Sequence, residues 1–274
     1  MRQIMSAALL LLCPFFIKAQ TVELAETDSA GLANSNEIVI ETPVTEFKAS
    51  HNFLKKNSAY LVPTAMFGFG VMAVNNPALQ NFDIKIRDGV VGQPTNSNGH
   101  RVEDFLQYTP AYSVFALNAI GVKSQHKMFD RLALYGISNT IMSHTVAKMK
   151  SAFGKLRPDG SNNRSFPSGH TATAFQAAEF MRLEYKNESP IYGIAAYAAA
   201  ATTGALRIYH NSHWFSDVVA GAGIGILSTQ LTYFVYPKVK NFVSNKLGFK
   251  NKNLKVGPSY QNGAAGFALV YNPK

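Results

Sequence analysis

The chain is expected to be all-α, a helical bundle of about six core helices that is membrane-associated and is followed by a short C-terminal β-hairpin. Three observations predict this. Six apolar or amphipathic stretches of helical length follow one another, at about 60 to 75, 103 to 121, 129 to 148, 169 to 183, 190 to 206 and 216 to 236. The last two, IYGIAAYAAAATTGAL and DVVAGAGIGILSTQLTYFVY, are rich in Ala, Gly and Ile, which permits close helix approach in a membrane or in a large soluble bundle. After Lys250 the pattern changes to alternating apolar residues flanking Asn262-Gly263, a hairpin turn signal.

Four segments are expected in order. Residues 1–20 (MRQIMSAALLLLCPFFIKAQ) carry Arg2, an apolar run from Ala7 to Ile17 and a small residue, Ala19, at a cleavage position, and so read as a secretory signal peptide. The apolar run is short for a bilayer span. Residues 21–58 read as a mobile polar leader, since from Thr21 to Phe47 six acids occur without Lys or Arg. Within it, Glu37-Ile38-Val39-Ile40 could add one strand. Residues 59–248 form the helical domain and 249–274 the hairpin and tail. The only cysteine, Cys13, lies in the signal segment, so the mature chain has neither a disulfide nor a cysteine nucleophile. The formal charge is +10, and +8 once Arg2 and Lys18 are removed, which favours anionic partners without choosing among nucleic acid, anionic lipid and phosphorylated substrates.

Charge placement bears on topology. Lys123, Lys127 and Arg131 lie in one connection, Arg182 and Lys186 in another, and Lys238, Lys240 and Lys246 after the last stretch. In a spanning bundle these mark cytoplasmic ends, and the connections 149–170 and 207–217 then fall together on the opposite side. Three crossings before residue 149 would, however, leave the leader in the cytoplasm, where a cleaved signal peptide does not deliver it. The alternatives are a segment such as 60–75 that does not cross, an uncleaved signal, or a bundle that lies wholly in the periplasm. The 169–183 stretch, with Gln176 and Glu179 inside it, is shorter than the ~20 apolar residues of a span and reads as soluble.

Three short segments carry chemistry: Lys150-x6-Arg157-Pro158, Pro167-Ser168-Gly169-His170 and Arg207-x5-His213-x3-Asp217. Phosphoryl transfer needs cations and amide donors around the phosphoryl oxygens, an in-line nucleophile and a proton source for the leaving oxygen. Ser168 is a good N-cap, and Gly169 and His170 open a helix whose free amides can face an anion. His170 beside that anion is assigned as the general acid. His213 and Asp217 are four apart, so a helix starting near His213 stacks them, and the carboxylate holds one ring nitrogen while the other attacks phosphorus. Lys150, Arg157 and Arg207 surround the phosphoryl oxygens and neutralise the transition state without a metal or other cofactor. Singly, each of these residues is an ordinary surface charge, structural histidine or capped turn; the case rests on all three segments in order.

These segments resemble the signature of the type 2 phosphatidic acid phosphatase superfamily, which also includes bacterial acid phosphatases and vanadium haloperoxidases. The resemblance covers 150–217, or about 60–236 with the flanking helices. It implies that Lys150, Arg157 and Arg207 bind phosphate with help from Ser168 and Gly169, that His170 is the acid, that His213 forms a phosphohistidine, and that Asp217 is its partner. Two features depart from the pattern: Leu206 stands where many members have Ser, and the connection DGSNNRSF from Pro158 to Pro167 is short. That loop carries Arg164, a candidate for contact with a second phosphate or a sugar.

The leading expectation is a phosphatase acting on an envelope lipid (a lipid A phosphate, a phosphatidate-type lipid or a polyprenyl pyrophosphate) at the periplasmic face of the inner membrane. The alternative is a soluble periplasmic acid phosphatase of broad specificity, followed by a vanadium-dependent haloperoxidase and a binding protein that has lost its chemistry. No nucleic-acid module is recognisable.

Overall fold

The computed structural model describes residues 51–90 and 101–246 and the backbone of 254–261 and 264–271, with side chains for 59–90 and 101–242. The expected signal peptide, the expected leader up to residue 50 and the strand expected at 37–40 lie outside the described residues.

Eight helices make up the described helical part: α1 (His51–Ala73), α2 (Pro77–Val90), α3 (Val102–Leu106), α4 (Thr109–Ala119), α5 (Met128–Phe153), α6 (Gly169–Tyr185), α7 (Pro190–Tyr209) and α8 (Phe215–Lys246). Several expected bounds change. Helix α1 begins inside the stretch assigned to the leader. Helix α2 was not expected at all, because PALQNFDIKIRDGV is amphipathic and charged rather than apolar. The stretch 103–121 is two helices, with a new start at Thr109-Pro110, where proline suits the first helical turn. Helix α8 passes through Pro237, which reads in the sequence as a stop, and continues to Lys246.

Helix α6 is the axis of the bundle. It packs on α7 and α8 along its length and also meets α4 and α5, while α8 packs in addition on α1 and α5. Ala172, Ala174, Ala177 and Ala178 are buried with Phe180, Met181 and Tyr185, and so are Gln176, Glu179 and Glu184, so the helix is enclosed nearly all round although its apolar run is short. Close approach comes from α8, where a Cβ on Gly221 would meet the Ser168 carbonyl and one on Gly225 the Ala172 carbonyl, whereas Gly223 faces the backbone of α1 at Pro63. Small residues thus let one helix touch two neighbours at backbone distance.

Several polar residues inside the bundle are paired, although Arg131 and Gln176 keep polar atoms without a hydrogen-bond partner among the described residues. Glu179 accepts two bonds from Arg182, at 2.6 and 2.7 Å, and others from Tyr197 and Gln230. Glu184 is bound by His126 and Tyr233. Arg131, counted from the sequence among the charges of a connection, lies instead in α5, is 1% exposed and donates to Asn118. At the same end of α5, Lys240 of α8 pairs with Asp130.

Among the described residues, one helix is long and apolar enough to cross a membrane, 215–242 in α8, with a mean hydropathy of 1.5 and about two thirds of its apolar window (67%) buried inside the bundle. The backbone segments β1 (Leu254–Gln261) and β2 (Ala264–Tyr271) run antiparallel, pairing Leu254 with Tyr271 and Gln261 with Ala264. The hairpin expected at the C-terminus falls where no side chain is described, and it forms no part of the helical fold.

The alternation of helix direction sets the site. The C-terminal ends of α5 and α7 and the N-terminal ends of α6 and α8 lie at one end of the bundle, and these four ends carry the three segments picked out from the sequence.

Candidate active site

Lys150 stands in the last turn of α5, which Gly154 ends in a left-handed conformation at φ 54°. Its Nζ donates to the Arg164 carbonyl at 2.6 Å and to that of Ser165 at 3.4 Å. Burial, reinforced by the charges of Arg157, Arg164 and Arg207, pushes its ammonium down to about 8. Arg157 follows in the connecting loop, where its amide donates to the Asn162 carbonyl at 3.0 Å and its Nε is buried without a partner among the described residues.

The chain then reaches α6 through a cis bond between Phe166 and Pro167. Ser168 caps the helix: its Oγ lies 2.9 Å from Thr171 Oγ1 and accepts weakly from the Thr171 amide. Its own amide donates to the Asp217 carbonyl at 3.0 Å, so the amides left for an anion at this helix start are those of Gly169 and His170. His170 Nε2 lies 2.8 Å from Asp104 Oδ1. Burial and Arg207 hold the imidazole below its usual value, and Asp104 opposes them.

The spacing from Arg207 to His213 is the geometry of a helix ending. Helix α7 closes with His210 as its C-cap, Asn211 turns the chain at φ 55°, and the Asn211 amide donates to the Ile208 carbonyl while that of Ser212 donates to Arg207. This is a Schellman arrangement. The His213 amide donates to the same Arg207 carbonyl at 3.2 Å, which ties the nucleophile candidate to the cation. Arg207 is 5% exposed, donates from one terminal nitrogen to Glu103 Oε1 at 3.2 Å, and keeps an unpartnered Nε. Glu103 also takes His210 Nδ1 at 2.7 Å.

His213 is buried, and its Nδ1 is 3.8 Å from Asp217 Oδ2, longer than a hydrogen bond. Burial pushes its imidazole down to about 4, with Lys150 and Arg207 adding to the effect against the pull of Asp217. The helix expected to start near His213 starts at Phe215, so Asp217 sits in its first turn and accepts from the Trp214 amide at 3.0 Å, in the manner of a capping carboxylate. Its other bonds come from Ser165 Oγ at 2.5 Å and Lys155 Nζ at 2.9 Å.

A cleft of about 540 Å³ opens beside these groups. Lys150, Arg164, Gly169, His170 and Asp104 form its polar side, and Met142, Val146, Ala147 and Tyr108 supply apolar surface.

Sequence reasoning missed four partners of the site: Asp83, Glu103, Asp104 and Lys155. The first three lie on α2 and α3, and only Lys155 falls inside a recognised segment.

The family model of the PAP2 superfamily matches residues 131–241. A lipid A 1-phosphatase of Porphyromonas gingivalis is 38% identical over 136 residues, covering 49% of this chain and 31% of that protein. A lipid A 1-phosphatase of Rhizobium etli is 30% identical over 152 residues, covering 49% of this chain and 62% of that protein. The chain thus spans less than two thirds of the length of either relative. A solved structure, described as the first transmembrane PAP2 type phosphatidylglycerolphosphate phosphatase from Bacillus subtilis, aligns with a TM-score of 0.45 at 22% identity, over 66% of this chain and 98% of that one. The matched segment holds Lys150, Arg157, Ser168, Gly169, His170, Arg207, His213 and Asp217 alike, so the three segments picked out from the sequence all fall where the chain is similar to the PAP2 superfamily.

Proposed function

We propose that this protein is a metal-independent phosphatase that removes a phosphate monoester or pyrophosphate group from a lipid of the cell envelope through a phosphohistidine on His213. One observation carries the reading: a buried histidine, its imidazole pushed down to about 4 by burial, stands at the same end of the bundle as two arginines, Arg157 and Arg207, whose Nε donors are buried and unpartnered among the described residues. Such donors are costly to leave unpaired, and a phosphoryl group between them takes both.

In the first step His213 Nε2 forms a bond to phosphorus as the bond from phosphorus to the leaving oxygen breaks, and that oxygen takes a proton from His170. Lys150, Arg157, Arg207 and the amides of Gly169 and His170 hold the remaining phosphoryl oxygens, with Ser168 fixing the helix start that presents those amides. His213 keeps its Nδ1 proton, and Asp217 faces the positive charge that develops on the ring. In the second step water, giving a proton to His170, attacks phosphorus; the N–P bond breaks and inorganic phosphate leaves. A phosphate dianion entering beside His170 raises its affinity for a proton, countering the depression by burial and Arg207.

The substrate class is lipid phosphate, with lipid A carrying a 1-phosphate as the first candidate because two relatives carry that activity in their names. Phosphatidate-type lipids and polyprenyl pyrophosphates are the other candidates. The apolar wall of the cleft suits such a leaving group, and exposed Leu231, Phe234, Val239 and Phe242 on α8 suit contact with a bilayer. We place the site at the periplasmic face of the inner membrane. A soluble periplasmic phosphatase is the second reading, favoured by the burial of most of the α8 apolar window inside the bundle.

The test is phosphate release in EDTA by wild type and His213→Ala, from lipid A 1-phosphate in detergent and from a soluble monoester. Release from the lipid by wild type alone supports the proposal. Release only from the soluble ester replaces it with the second reading, and release by both proteins alike removes His213 from the chemistry.

A further inference from the structure

We propose that Lys155 and Asp83 are positioning residues for the nucleophile, an Asp83–Lys155–Asp217 chain that fixes the carboxylate facing His213. The inference rests on the phosphatase reading above.

Lys155 Nζ is surrounded by three acceptors: Asp217 Oδ1 at 2.9 Å, Ser216 Oγ at 2.9 Å and Asp83 Oδ2 at 3.2 Å. An ammonium has three N–H donors, so its capacity is filled. Its side chain is 11% exposed, and the Trp214 ring centroid lies 5.8 Å from Nζ, so the group is not a solvated surface charge. The backbone of Lys155 acts on the same carboxylate, since its carbonyl accepts the Ser165 amide at 2.9 Å and Ser165 Oγ donates to Asp217 Oδ2. One residue therefore secures both oxygens of Asp217, Oδ1 directly and Oδ2 by way of Ser165.

Asp83 closes the chain from α2, outside the segment matched to the family. It is 2% exposed, accepts the Ser216 amide at 2.8 Å and the Ser216 hydroxyl at 2.5 Å, and so caps the first turn of α8, where Asp217 sits. Its charge matters as well as its bonds. Lys155 paired with Asp217 alone would cancel the negative field at His213; two carboxylates sharing one ammonium leave one negative charge in excess, opposite the ring that becomes positive as the N–P bond forms. A lysine and a distant aspartate thereby make Asp217 rigid without neutralising it.

The experiment measures kcat and KM for phosphate release, with vanadate inhibition, on full-length Lys155→Met, Lys155→Arg, Asp83→Asn, Asp217→Asn and the Lys155→Met/Asp217→Asn double variant. Lys155→Met is expected to lower kcat by roughly 30- to 100-fold with KM within about threefold and to weaken vanadate inhibition, because the interaction is one made in the transition state, which five-coordinate vanadate resembles. Lys155→Arg recovers part of the loss, and the double variant is no slower than Asp217→Asn, since both changes break one chain. Asp83→Asn, which preserves shape, lowers kcat in the same pattern and carries the test if Lys155→Met does not fold. A wild-type kcat in Lys155→Met or in folded Asp83→Asn overturns the proposal, as do losses that multiply in the double variant or fall on KM alone. Wild type inactive on every phosphate ester overturns the phosphatase reading itself, a result distinct from active wild type with unimpaired variants.

Discussion

Asp217 Oδ2 stands 3.8 Å from His213 Nδ1 while accepting from Ser165 Oγ at 2.5 Å and from the Trp214 amide at 3.0 Å. The carboxylate is anchored by other donors, and on the proposed mechanism it acts on the histidine across a gap, through field and orientation. Asp217→Asn is therefore expected to lower kcat by about 100-fold or more with little change in KM, and Ser165→Ala by about 3- to 10-fold. Steady-state kinetics on a soluble monoester decide this; a loss confined to KM would move Asp217 from the chemistry to substrate binding.

The assignment of His170 as acid predicts a dependence on the leaving group. His170→Ala should cost about 100-fold or more on alkyl phosphates and about tenfold or less on p-nitrophenyl phosphate, whose leaving group needs no proton. Asp104→Asn, which removes the carboxylate 2.8 Å from His170 Nε2, should show the same bias in weaker form. Equal losses on both substrates contradict the assignment.

On the proposed mechanism the pH profile follows from three groups. His213 attacks only when unprotonated, and with its ring pushed down to about 4 the acid limb of kcat/KM falls near pH 4 rather than near 6.5. On the alkaline side kcat/KM falls first as the acid, His170, loses its proton, below the usual imidazole value in the free enzyme, and falls again near pH 8 as Lys150, its ammonium pushed down to about 8, loses its charge. Lys150→Arg should remove the step near pH 8 and leave the one due to His170, because arginine stays charged. A step near pH 8 unmoved in that variant refutes the assignment of Lys150.

Packing makes a separate prediction. Gly225→Ala places a methyl group against the Ala172 carbonyl and the Gln176 amide and should destabilise the fold by about 1–3 kcal/mol. Gly136→Ala meets nothing within 4 Å on helix α5 and should stabilise by about 0.5–1 kcal/mol. Denaturant unfolding of the two variants measures both.

What could be read from the sequence divides along a physical line. Lys150, Arg157, His170, Arg207, His213 and Asp217 were legible because their spacings are those of helix ends: a Schellman turn after Arg207, a serine cap before His170, a carboxylate in the first turn of α8. Asp83, Glu103 and Asp104 were not, because they reach the site across 66 to 133 residues of chain and lie on polar helices with no motif of their own. Nothing local in PALQNFDIKIRDGV says which distant serine its aspartate will meet. Lys155 was in view between Lys150 and Arg157, but only the fold turns its side chain inward toward two carboxylates. Arg131 erred in the other direction: its charge was counted with a connection that would mark a cytoplasmic end in a spanning bundle, yet its guanidinium lies in the core beside Asn118 and the Phe115 ring. The break at Thr109-Pro110 did have a local signal, a proline suited to a helix start, whereas α8 runs on through Pro237 to Lys246.

The most direct test of the phosphohistidine is to quench the enzyme during turnover of a ³²P-labelled phosphate ester in the presence of EDTA and locate the label. The account predicts an acid-labile, base-stable phosphoryl group on His213 in the wild type, accumulating more in His170→Ala on an activated ester and absent from His213→Ala. Label on another residue, or undiminished turnover in His213→Ala, would contradict it.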